Sequence, residues 1–129
     1  MHIRSIIVVG SVVIGALVAC RIGAEVYYVK SITPRGVLTV ADHFRRLGEP
    51  LRIVEFTRDG ATYFEFIGVP HGFHALVTPS APPSYIYDES GKFVEWCSDP
   101  VDQPAFRKRW PLTKTVPIDI AAFGKKYEN

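Results

Sequence analysis

Cysteine is scarce in this sequence, with two in the whole chain, Cys20 and Cys97. Two thiols allow at most one bridge, so no disulfide framework supports the fold. No histidine or lysine lies within four residues of Cys97, so nothing nearby in sequence lowers its pKa, and it reads as a small buried apolar group beside Trp96. Charge of one sign is also lacking: 15 Lys and Arg stand against 13 Asp and Glu, a net charge of +2. So even a balance argues against a nucleic-acid binder. The nearest approach to a basic cluster, "FRKRW" at 106–110, reads as a solvated turn. There is no glycine-rich phosphate loop. Ser80, Ser84 and Ser90 stand in no nucleophile elbow. Internal repeats and low-complexity tracts are absent, and 129 residues suit one domain. These absences point away from an enzyme and from a bound cofactor.

What is present begins at the front. "MHIR" supplies one firm positive charge at Arg4, and Ser5 to Ala19 then form 15 uncharged residues with small Gly15, Ala16 and Ala19 crowding the far end. This is the three-part layout of a secretory signal peptide. At a rise of ~1.5 Å per residue that stretch covers roughly 22 Å, short of the ~30 Å hydrocarbon core of a bilayer, and Arg21 hinders extension. Leu17, Val18, Ala19 and Cys20 resemble the lipobox of bacterial lipoproteins. The resemblance implies lipidation of the Cys20 sulfur, cleavage just before it, and acylation of the new amino group. Two or three acyl chains hold a protein stably at a membrane, whereas one does not. Arg21 rather than aspartate follows the cysteine, which for this family implies the outer membrane, facing the periplasm.

Downstream, "EVYYVK" has the residue types of a short strand, and "TPRG" of a turn. "GVLTVADHFRRLGEP" carries the clearest helix signal. Thr39 and Asp42 form a capping box, Arg45 and Arg46 suit the last turn, and Gly48 and Pro50 mark the stop. Leu38, Ala41, Phe44 and Leu47 are expected to form its apolar face. "LRIVEFTRDGATYFEFIGV" reads as a hairpin turning at Asp59-Gly60, with Phe64 and Phe66 on one face and Tyr63 and Glu65 on the other. "FHALVT" is an expected strand, "PSAPPS" a loop, and "YIYDESGKFVEW" a second hairpin turning at 89–91. One helical turn is expected over 102–110, capped by Asp102 with Pro104 early in it. The remaining tail reads as irregular. The fold class is therefore α+β: one short helix packed on an antiparallel meander of about five strands, the other sheet face left to water or a partner. The expected organisation is a signal peptide over 1–19, the lipidated Cys20 with a linker or short strand over 20–35, the α+β domain over 36–110 and the tail over 111–129.

A second resemblance rests on Gly36 and Thr39, then Leu47, Gly48 and Pro50, then "RIVEF", "TYFEF" and "YIYDESGKFVEW". This pattern, behind a lipobox, is similar to the SmpA/OmlA (BamE-like) group of small outer-membrane lipoproteins. It departs in showing one helix before the sheet rather than two. The resemblance implies the fold and the compartment.

Trp96, Phe106, Arg107, Arg109 and Trp110 are the expected partner-binding residues, because Trp and Arg are the types that anchor interfaces. The functional expectation is a non-catalytic envelope lipoprotein. It is held at the membrane through Cys20 and binds envelope proteins, with no nucleic acid and no metal. The alternative is a periplasmic ligand- or metal-binding module built on His71 and His74, whose three-residue spacing lets two imidazoles share an ion only with help from further ligands.

Overall fold

The computed structural model describes residues 2–69 and 82–128. The expected strand "FHALVT" lies outside them. The chain divides into two units, one holding the first helix as far as Ser31, the other beginning at Ile32.

Helix α1 (His2–Ile32) spans 31 residues without a break. The expected strand at "EVYYVK" is therefore corrected to helix. Val and Tyr favour strands only where there is a sheet to join, and no stop signal separates them from the helical run upstream. The helix ends where Thr33 precedes Pro34, since a residue before proline is disfavoured in the α region. From Arg4 to Gly23 its surface is entirely solvent-facing, including Ile6, Ile7, Val12, Ile14 and Leu17.

In the second unit, helix α2 (Val40–Arg46) starts as expected. The Thr39 hydroxyl accepts from the Asp42 amide at 3.2 Å, and the Asp42 carboxylate accepts from the amides of Leu38 and Thr39 at 3.0 and 3.1 Å. The Leu38 amide above all holds the Asp42 carboxyl below its usual pKa. Gly48 takes φ +83°, the left-handed stop. Of the expected apolar face, Phe44 and Leu47 pack against the core, but Leu38 does not. Leu38 precedes the cap, lies outside the helix and is 71 % exposed, while Val40 and His43 are buried. His43 is tolerated there because its Nδ1 is hydrogen-bonded to the Tyr87 hydroxyl at 2.6 Å, and Phe66 and Tyr85 meet its ring edge-on at 4.7 and 4.8 Å.

Five antiparallel strands form the sheet: β1 (Arg52–Arg58), β2 (Ala61–Ile67), β3 (Ser84–Asp88), β4 (Phe93–Cys97) and β5 (Val116–Ile118), in the order β4-β3-β2-β1-β5. Asp59 and Gly60 close the first hairpin with φ +51° and +80°, the double positive φ of a type I′ turn. At the second, the Asp88 carboxylate accepts from the amides of Ser90 and Lys92 at 3.0 and 2.9 Å. Helix α3 (Pro104–Arg109) has Pro104 in its first turn as expected, but its cap is Gln103, not Asp102, whose amide turns back to Asp99 at 3.3 Å.

The tail is ordered, contrary to the irregular segment expected. Its Val116–Ile118 adds to the free edge of β1 as β5, and helix α4 (Ile120–Lys126) follows, capped by Asp119 accepting from Ala122 at 3.2 Å. Phe123 is buried against Phe64 and Phe66, ring centroids 4.8 and 5.5 Å away. The first sheet face is thus a core of Ile53, Phe64, Phe66, Tyr85 and Tyr87 roofed by α2 and α4.

Two outcomes follow from this core. Phe123→Ala is expected to cost about 3 kcal/mol or more in urea unfolding, as for an aromatic deleted from a core, whereas a loose tail would cost nothing. Burial pushes the pKa of His43 down to about 3 from the ordinary histidine value of 6.5. The folded state thus favours neutral imidazole, and its stability is intact above pH 6.5 and falls as pH drops from there toward 3. Unfolding free energies from urea titrations at pH 7 and pH 5 are expected to differ by about 2 kcal/mol, and His43→Phe removes that slope while lowering stability at pH 7.

Candidate functional site

The second sheet face was expected to meet water or a partner. It is instead closed by α3, because β2 carries a carboxylate there that must be answered. Glu65 has 0 % exposure at the middle of the central strand. Arg107 of α3 grips it with two bonds, Nη1 to Oε1 at 2.7 Å and Nη2 to Oε2 at 2.8 Å. The same guanidinium donates to the Trp110 carbonyl at 3.2 Å and to the Ser84 hydroxyl at 3.3 Å, and Ser84 donates to Glu65 at 3.3 Å. Such a planar fork is the geometry in which a desolvated carboxylate is fully satisfied.

Around this pair Phe56, Ile86, Cys97, Phe106 and Trp110 form a second apolar core. The Trp110 indole donates to Glu95 at 2.5 Å and its ring lies under the Arg58 guanidinium at 4.2 Å. Arg109 is ion-paired to Glu95, and its guanidinium, with the indole, holds the Glu95 carboxyl below its usual pKa. Cys97 donates to the Gln103 side chain at 3.2 Å, and burial raises its thiol pKa, as suits a structural rather than a reactive sulfur.

The structure separates the five residues expected to bind partners. Phe106 and Trp110 are buried in the second core, and Arg107 and Arg109 are spent on Glu65 and Glu95. Trp96 is on the other face, stacked on Tyr85 at 6.1 Å between ring centroids. Physically, large aromatics next to an uncovered apolar face gain more by sealing it than by waiting for a partner. Cys20 is exposed on α1. His71 and His74 lie outside the described residues. Among the described residues no three His, Cys, Asp or Glu side chains converge on a metal-sized site.

Glu65 was the residue the sequence reading passed over. Its signal was available: a lone charge in "TYFEFI", flanked by aromatics, has to find a counter-charge or be exposed.

Of the concavities among the described residues, two are the more spacious of those lined by α2, α3 or α4. One groove of about 550 Å³ runs between α2 and α4, floored by Ala41, Phe44, Ile120 and Gly124. The other, of about 440 Å³, lies where Arg52, Ile67, Pro82, Val101, Arg107 and Leu112 converge. No protein-family model, curated protein or solved structure matches the chain.

Cutting one arm of the central ion pair separates its roles. Arg107→Met is expected to cost about 3 kcal/mol by chemical unfolding, the penalty of a stranded buried charge. Adding Glu65→Met should return most of that loss, because two apolar residues of similar volume replace the pair. A double variant as unstable as the single one would show instead that the bonds to Ser84 and Trp110 dominate.

Proposed function

We propose that this chain is a lipid-anchored bacterial envelope protein whose folded unit acts by binding proteins rather than by chemistry. The observation that carries the proposal is the Arg4–Gly23 stretch: 20 residues of apolar helix with none of the span buried by the protein, and Cys20 exposed at its far end. A surface of that size is stable only in a lipid or targeting environment, because apolar area left in water costs roughly 25 cal/mol per Å². In this reading residues 1–19 direct export and are removed, and Cys20 carries the acyl chains. Arg21 then favours the outer membrane, with the folded unit facing the periplasm. The support for a binding role is the disposition of the polar groups. The buried Glu65 is satisfied by Arg107 and Ser84, and His43 by Tyr87. Both sets fasten elements of the fold together.

A second reading is favoured by one specific observation. The apolar span is 20 residues within a helix that continues past Cys20, and ~1.5 Å per residue over that length gives roughly 30 Å, enough to cross a bilayer uncleaved. Intact-mass spectrometry of the protein from a native membrane fraction separates the two. The lipoprotein reading expects a chain starting at Cys20 with two or three acyl groups, and Cys20→Ser expects loss of both cleavage and lipid. A chain retaining residues 1–19 with a free thiol would establish the spanning anchor instead.

A further inference from the structure

We infer that the cleft bounded by Arg52, Ile67, Val101, Arg107 and Leu112 binds the C-terminal carboxylate of a peptide whose last residues are apolar. This deepens the protein-binding reading and rests on it, not on the mode of membrane attachment.

The cleft has the chemistry to receive an apolar anion. Its walls are Ile67, Pro82, Val101 and Leu112, and Val101 and Leu112 keep much of their surface exposed at the rim. Two arginines line it, Arg52 and Arg107. Arg107 is neutralised by Glu65 behind it. Arg52 is exposed, and among the described residues it takes part in none of the ion pairs. The cleft therefore carries about one uncompensated positive charge beside aliphatic walls. Exposed at the first position of β1, Arg52 contributes nothing to either core. A solvated arginine next to a concave apolar surface offers a planar two-donor fork and a place for a side chain in one step.

That juxtaposition selects the ligand. In a peptide C-terminus the carboxylate is one carbon from an apolar side chain, matching a guanidinium adjacent to Ile67 and Leu112. A free amino acid has the same carboxylate but adds an ammonium group, which the uncompensated Arg52 repels. Capture of a terminal carboxylate by fixed donors is an established mode of peptide recognition. A volume of about 440 Å³ accommodates one or two side chains.

The test uses the full chain in detergent, with its Ile, Leu and Val methyl groups isotopically labelled, titrated with N-acetyl-Leu-Leu as the free acid and as its amide. The expected result is saturable shifts at Ile67, Val101 and Leu112 for the acid. Affinity should be about tenfold weaker for the amide, the loss expected for one charge-assisted hydrogen bond. Arg52→Gln should abolish the difference between acid and amide while leaving the methyl spectrum of both cores unchanged. Acid and amide binding equally overturns the proposal, as does the absence of saturable shifts at these three residues. Saturable shifts confined to the groove between α2 and α4 would overturn it too, while keeping a protein-binding role for the fold. Unshifted spectra throughout with normal lipidation of Cys20 would remove the peptide-binding role and leave the anchor standing.

Discussion

A carboxylate with no access to water occupies the middle of the central strand, and much of the architecture answers to it. Glu65 cannot be left alone at that depth, because desolvating an ionised group costs several kcal/mol. Arg107 meets it with both Nη atoms, and in doing so fixes α3 across the second sheet face. Once α3 is there, Phe106 and Trp110 are in position to roof Phe56 and Ile86. Trp110 in turn draws in Glu95 and Arg109. One electrostatic requirement thus brings a six-residue helix, with no side-chain cap of its own, into a defined place. A helix that short has little stability of its own. The ion pair gives it register, while the aromatics provide the area.

The first face solves the complementary problem without charge. Helix α2 is seven residues long and covers only part of the sheet. The C-terminal segment supplies the remainder: β5 pairs with Ile53 to Glu55 of β1, and α4 places Phe123 over Phe64 and Phe66. Tyr127 then reaches back to the second hairpin, its hydroxyl donating to the Glu89 carbonyl at 2.9 Å. This closes the layer between elements distant in sequence. His43 sits at the centre of the layer among the rings, bonded to the Tyr87 hydroxyl, and it stays neutral because burial opposes its protonation.

Local signals were legible in the sequence to the extent that their physics is local. The capping box of Thr39 and Asp42, the Gly48 stop, the Asp59-Gly60 turn and the alternation along β2 each involve residues within four of one another, and each is present. What the sequence did not disclose depends on partners far along the chain. Val116–Ile118 has three residues and a proline, too little to signal a strand, and it becomes one only because β1 offers an edge. "EVYYVK" has strand-forming residues but inherits a helix from upstream. Trp96, Phe106 and Trp110 are neighbours in sequence, and pleating sends Trp96 to one face while α3 takes the others to the opposite one. Proximity in sequence was read as proximity in space, and the period-two alternation of strands defeats that inference.

Closing both faces has a consequence for what the folded unit is free to do. A sheet with one bare side binds partners by its flat apolar area. Among the described residues this sheet leaves no such side bare, so in the proposed reading recognition is left to edges, grooves and isolated side chains at the rim. Such contacts are small, and small contacts between freely diffusing molecules are weak, since association costs several kcal/mol of lost rigid-body freedom. A membrane anchor changes that balance. Holding the unit and an envelope partner on one surface turns a bimolecular encounter into a nearly intramolecular one, and the effective concentration reaches the millimolar range for short tethers. An internally saturated fold and an anchored N-terminus are therefore physically coherent in the proposed reading. The fold retains its aromatic area for its own stability, and in that reading an anchor would let a modest cleft such as that at Arg52 suffice.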